Sequence, residues 1–265
     1  MKALLRIEWL KMRHYRTCYI ITGLFVLLCW LLIAYQRDFF VGGSELLLAD
    51  SRTFSAVWQN SAFYTSHVVI FLSLLLALLV TNEFQFRTHR QNVIDGWRRM
   101  DFYHAKWAVA GMMVLLAMCS CIVAALVYAL VMGSDFSNIT DGIINLLWLF
   151  LLTVNYLGFA LLLSLMIRRA GLTLIIILVY YMMAEPILHT LLRYKQKWPV
   201  ADLFLPLEVS DQLLARPKLN PLPIGGPDKE LFSSPLPMYV YALGTLAWIA
   251  LYYFAGRRRL AATDW

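Results

Sequence analysis

Glu83-Phe-Gln-Phe-Arg-Thr-His-Arg-Gln-Asn-Val-Ile-Asp-Gly-Trp97 is a polar island between two long apolar runs, near residues 62–80 and 107–132. A helix of about 20 apolar residues crosses the roughly 30 Å of hydrocarbon in a bilayer, and each flanking run is long enough to do so. The island between them therefore lies at a membrane surface, and the chain turns back through it. This reading sets the fold class: an all-α membrane protein.

Four more runs extend the pattern outward, near 18–35, 143–167, 172–192 and 238–256, giving six transmembrane helices. Of the 265 residues, 61% are hydrophobic and only 15% charged. Soluble domains average about 25% charged residues, so the composition excludes an ordinary soluble protein. A net charge of +7 would suggest nucleic acid in a soluble chain. Here the basic residues flank apolar spans, where such charge sets topology, and no nucleic-acid partner is expected. The first run ends in Ala34-Tyr-Gln-Arg37, without a small-x-small cleavage site, and reads as a retained anchor.

Basic residues orient the spans. With the N-terminus inside, fifteen of the 23 Lys and Arg residues fall on inner segments and eight on outer ones. Six of those eight lie in the single long loop 193–237, where the bias counts for less. Both termini, and the island, are expected to be cytoplasmic.

Three further segments stand out. In residues 1–17, Lys2, Arg6 and Arg13 share one arc of a helix, while Leu4, Met12 and Tyr15 lie on another side. That pattern suits a helix lying in the interface, its basic side chains reaching lipid phosphates. An ordinary basic flank continuing the first span is the alternative. The outer loop 193–237 holds eight of the nine prolines and reads as a small extracytoplasmic cap, with a short amphipathic helix over 200–214. The island itself carries a capping-box pattern, Thr88-x-x-Gln91, and Gly96 as a stop. The enclosed helix is about seven residues, roughly 10 Å long. A helix so short is unstable alone, so the membrane surface or a soluble partner must pack against Val93, Ile94 and Trp97. Asp101 is placed to cap the helix that follows.

Polar groups within the spans are few. Glu185, followed by Pro186, is the only acidic residue inside a predicted span, and an intramembrane carboxylate costs about 2.5 kcal/mol or more at the centre of a span. It reads as a gate or path-lining group near the outer leaflet, as a hydrated carboxylate, or as a partner of His189. Asn155 is a further path candidate. Asn145, Thr65, Ser66 and His67 suit hydrogen bonds between helices, and Ala110, Ala117 and Ala124 form a stripe for close helix approach. The four cysteines and five histidines show no disulfide or metal spacing.

The run Asn82-Glu83-Phe84, Arg87-Thr88, Arg90-Gln91-Asn92-Val93-Ile94-Asp95-Gly96, Arg99 and Lys106 resembles the segment between the second and third spans of ABC-2-type transporter permeases. It is most similar to the variety common in Bacteroidetes-like bacteria. The opening Glu8-Trp-Leu-Lys-Met-Arg-His-Tyr-Arg-Thr17 is similar to the elbow helix that precedes the first span of those permeases. The resemblance implies one permease domain over residues 1–265, in the bacterial inner membrane. It makes segment 83–106 a coupling loop, with Glu83, Arg87, Thr88, Arg90, Gln91, Val93, Ile94, Asp95 and Gly96 contacting a separate ATP-binding subunit. It further implies a second permease copy, identical or not, and an exporter in which ATP and magnesium belong to the partner. The chain contains no GxxxxGK[ST] phosphate loop, so it is expected not to be an ATPase itself.

Other functions fit less well. A secondary transporter would place charged residues on several spans and show an internal repeat. A membrane-embedded enzyme would need a cluster of catalytic groups at one face. A non-transporting assembly or signalling subunit would share the same hydropathy.

Overall fold

Apolar residues whose backbone groups find no water must satisfy them internally, and here they do so as helices. A computed structural model describes residues 2–41, 53–86, 88, 98–132, 134, 139–195, 201–214 and 236–262. It shows α1 (Lys2–His14), α2 (Arg16–Val41), α3 (Phe54–Gln85), α4 (Arg99–Met132) and α5 (Ile144–Ile167). There follow α6 (Ala170–Val179), a π-helical turn (Tyr180–Ala184) running directly into α7 (Glu185–Lys195), a short α8 (Glu208–Asp211) and α9 (Met238–Ala261). Among the described residues, six helical stretches are long and apolar enough to span a membrane: Arg16–Ala34, Phe54–Gln85, Met100–Val131, Ile144–Ile167, Ala170–Leu192 and Met238–Ala261. The protein is a multi-pass membrane protein.

The helices of the second and third spans, α3 and α4, overrun the apolar runs that announce them. α3 begins at Phe54 and α4 at Arg99, several residues outside the runs 62–80 and 107–132. Periodicity marks the segment that meets hydrocarbon, whereas the helices continue until their end groups find other partners. The first turn of α4 shows this. Asp101, expected as an N-cap, instead sits inside the helix and accepts the Arg98 N–H at 3.1 Å, reaching back as the second arm of a capping box does.

α3 and α5 form the centre. In their apolar windows 61% and 56% of residues are buried, against 17% in each of the first, fifth and sixth spans. α3 packs on α2, α4, α5 and α6, and α5 packs also on α9. Ala110, Ala117 and Ala124 are buried along α4, as a small-residue stripe requires. The outer helices leave Ile20, Met182 and Leu243 exposed, as lipid-facing side chains are. His67 and Ser66 do not bridge helices as expected: both hydrogen-bond Phe63 O within α3, at 2.8 and 2.7 Å. The carbonyl one turn back is always within reach and competes with any neighbour.

At the turn before α5, Trp58 Nε1 donates to Ile139 O at 2.8 Å and Gly142 has φ of +83°. A Cβ there would sit 2.8 Å from the backbone Cα of Ser55. Gly142→Ala combines a left-handed backbone with a clash that no rotamer relieves. The expected loss is about 2 kcal/mol or more, measured by unfolding in lipid nanodiscs.

The segment expected to form one amphipathic helix over 200–214 is a 3₁₀ turn (Ala201–Phe204) and the single turn α8, separated at Pro206. It does not sit on the bundle as a simple cap. Pro206 O accepts Asn155 Nδ2 at 2.7 Å, midway along the 24-residue α5, and Tyr252 OH at 3.4 Å, just past midway along α9. The chain thus re-enters the bundle to about half its depth. Leu203, Leu207, Val209, Leu213 and Leu214 are buried there. Irregular backbone at such depth is tolerated when protein surrounds it. Residues 215–235 of the predicted cap lie outside the described residues.

Candidate functional site

The polar island leaves α3 at its last turn and returns through the start of α4, and charged residues meet between these two roots. Lys106 Nζ lies 2.7 Å from Glu8 Oε2 and 2.8 Å from Glu83 Oε1. Lys11 Nζ lies 3.1 Å from Glu83 Oε1 and 3.3 Å from Glu8 Oε1. Two lysines and two glutamates from α1, α3 and α4 thereby form one network. The Lys106 side chain is only 2% exposed and that of Glu8 4%. Its ammonium also sits 5.1 Å from the Phe102 ring.

Burial by itself would lower the Lys11 pKa, but the carboxylates of Glu83 and then Glu8 outweigh it and raise the value above the ordinary one. A lysine with a raised folded-state pKa contributes its full stability below the unfolded value, about 10.4, and loses it as pH rises through the folded value. The attachment of α1 through Lys11 therefore persists across the neutral range.

Contacts outside the ion network tighten the same end. Asn82 Nδ2 donates to Tyr15 OH at 2.7 Å, holding the break between α1 and α2 against α3. Phe84 meets Phe102 edge to face with centroids 5.9 Å apart, and the Arg168 guanidinium lies 5.0 Å above Phe84. Arg168 occupies the turn between α5 and α6 with φ of 56°, a left-handed conformation that closes α5 through its N–H to Ser164 O. From the other side, Tyr103 OH donates to Tyr253 O at 2.7 Å, and a Cβ on Gly256 would fall 2.8 Å from that hydroxyl. All six spans end or begin around the roots of the island.

Of the residues expected to contact a partner, Glu83 is one of the four charges in this network rather than a purely outward-facing group. Thr88 Oγ1 donates to Glu83 O at 3.4 Å, back toward α3. The capping box with Gln91, and Arg87, Arg90, Val93, Ile94, Asp95 and Gly96, lie outside the described residues. Sequence reasoning did not pick out Glu8, Lys11 and Lys106 as a unit. One signal was present: Glu8 is the only acidic residue among the first 37. α1 is a helix with Arg6 and Arg13 exposed and Met12 buried, in keeping with the expected arc. The buried face, however, is partly ionic.

The path candidates gather at the re-entrant segment. Glu185 is 5% exposed and accepts the N–H groups of Leu207 and Glu208 at 2.7 and 2.9 Å, capping the start of α8. Its Oε1 thus faces the backbone of the re-entrant segment. Pro186 cannot donate a backbone N–H, and the helix widens in the turn before it, where Glu185 N–H reaches Tyr180 O. Asn155 is buried and donates to Ser210 Oγ at 3.0 Å as well as to Pro206 O. Tyr156 OH donates to both carboxylate oxygens of Asp211, at 2.9 and 3.0 Å. Glu185 and Asn155 thus come together at one place, holding the loop that enters the bundle.

Six helices able to span a membrane, with charged residues meeting where a polar loop joins two of them, define a multi-pass helical membrane protein. A family model described as ABC-2 family transporter protein matches residues 4–184, more than half of the chain. The chain belongs to this family and is a permease component of an ABC transporter. None of the curated proteins matches it.

Proposed function

We propose that this permease is driven by a separate ATP-binding subunit that docks on the island 83–97 and moves the spans, exporting a substrate. The observation that carries this reading is the buried network of Glu8, Lys11, Glu83 and Lys106. Glu83 and Lys106 stand at the two roots of the island, and α1 is ionically bound to both. A push on the loop is then delivered to three helices together instead of bending one. In this reading ATP and magnesium reside in the partner, both termini are cytoplasmic in a bacterial inner membrane, and a second permease copy completes the pathway. Lipid phosphates meet the exposed Arg6 and Arg13 of α1. Glu185, Pro186 and Asn155 serve as a gate at the far end, through the segment they hold.

The test is co-purification of an ATP-binding-cassette protein with the chain, followed by Val93→Asp. The variant should insert at wild-type levels yet reduce stimulated ATP hydrolysis of the complex at least tenfold. An intact complex with undiminished stimulation removes the docking assignment.

A further inference from the structure

α2, α3 and α4 each pack on the other two, and two thiols are buried where they meet. Cys29 lies twelve residues before the end of α2 at Val41, and Thr65 eleven after the start of α3 at Phe54. Cys121 lies eleven before the end of α4 at Met132. Antiparallel neighbours therefore bring the three to one level, about 16 Å below the helix ends that lie away from α1. The Cys29 thiol stands beside the hydroxyls of Ser120 and Thr65, and the Cys121 thiol beside the same Thr65 hydroxyl. Cys29, Thr65 and Cys121 have no exposed surface, and Ser120 is 8% exposed.

The two hydroxyls depart from the pattern of the other spans. A Ser or Thr inside a helix ordinarily donates to the carbonyl one turn back. Ser73, Thr81, Thr153 and Ser164 do so, at 3.4, 2.6, 2.7 and 2.6 Å. Thr65 Oγ1 and Ser120 Oγ complete no hydrogen bond among the described residues. A buried polar group left unpaired costs about 1–3 kcal/mol. Both lie instead beside sulfur, which as a neutral thiol accepts only weakly. An ionised sulfur would accept strongly.

We propose that Cys29 and Cys121 bind one soft monovalent cation, copper(I) or its analogue silver(I), with Thr65 and Ser120 donating to the ligating sulfur. Thiolate sulfur selects soft metals. Structural zinc takes four protein ligands and an iron–sulfur cluster four cysteines, whereas a pair of sulfurs suffices for copper(I). Among the described residues no three His, Cys, Asp or Glu are grouped to hold a metal, which leaves the two-sulfur cation as the fitting class. On binding, a metal–sulfur bond forms as one thiol gives its proton to the solution, and the cation cancels the thiolate charge. The site stays neutral, as its place within the spans favours, and no electron is transferred. The second sulfur completes the coordination. The hydroxyls then donate to negative sulfur, an outer-shell arrangement that strengthens metal binding. A bound cation ties the first span to the third.

Equilibrium dialysis of the full chain in lipid nanodiscs, reduced and free of oxygen, against copper(I) buffered by a competing chelator tests this. Cys18→Ser and Cys119→Ser together remove the two other thiols. That background should retain one copper(I) per chain, with two sulfur neighbours in its X-ray absorption spectrum. Cys29→Ala or Cys121→Ala should abolish retention, and Thr65→Val should weaken it about tenfold at unchanged stoichiometry. Silver(I) should raise the thermal unfolding temperature of the background chain but not of Cys29→Ala, whose unfolding without metal shows whether it is folded. Absence of retention in the background chain overturns the proposal and leaves the hydroxyls to a buried water. Undiminished retention in Cys29→Ala or Cys121→Ala, a copper site with fewer than two sulfurs, or an unchanged affinity in Thr65→Val overturns it as well. None of these readouts involves an ATP-binding subunit, so they stand apart from the docking test.

Discussion

Lys106→Met will destabilise the folded chain by about 3–5 kcal/mol, because removing one partner of a buried ion pair strands the charge of the other. Lys106 is 2% exposed and stands between Glu8 and Glu83, so its loss takes the most deeply buried cation of the network away from both carboxylates. The triple variant Glu8→Gln, Glu83→Gln, Lys106→Met removes the stranded charges together and should recover most of the loss, since apolar or neutral replacement of a whole buried ionic cluster is often close to neutral. Denaturant unfolding in nanodiscs measures both. A single variant within about 1 kcal/mol of wild type, or a triple variant no better than the single, contradicts the enclosure described for this cluster. The comparison also separates stability from coupling. On the proposed function the triple variant folds, yet transmits motion from the island poorly, because α1 is no longer fastened to its roots.

Gly244→Val will dislodge the re-entrant segment while leaving the core of the bundle folded. A Cβ at Gly244 would lie 2.9 Å from Val209 Cγ2 and 3.2 Å from the Phe204 ring. Those are a short, stiff side chain and a ring stacked on Tyr241 with centroids 6.4 Å apart, so neither swings aside cheaply. Overpacking of this kind costs about 1–3 kcal/mol. Because the segment is held to α5, α7 and α9 by separable hydrogen bonds, the loss is expected to be local. Exchange of the amides of residues 203–214 should accelerate about tenfold or more, while those of α3 change little. Equal acceleration in α3 would show that the segment is part of the global folding unit.

How much of this was legible in the residues depended on the range of the interaction involved. The six spans, the burial of the Ala110, Ala117 and Ala124 stripe, and the opposite exposure of Cys119 and Cys121 all follow from local periodicity. The spacing of Asp101 likewise announced a helix start, although the carboxylate acts from within the first turn. The role of Glu185 was not legible. Its partners are backbone amides 22 and 23 residues away, which carry no side-chain signature. Lys11 and Arg13 look alike in the sequence, yet one is drawn into an ion network and the other stays exposed.

The sequence by itself determined that the chain crosses a membrane six times, where each crossing falls, and that a polar island joins the second span to the third. Hydrocarbon admits only internally bonded backbone, so composition and period are enough for that. Tertiary structure alone decided which charges are buried together and which loop re-enters the bundle. Glu8 meets Lys106 across 98 residues, and Asn155 meets Pro206 across 51. Such pairs depend on how helices pack side by side, and the side chain that is enclosed is selected by its neighbours rather than by its place in the chain.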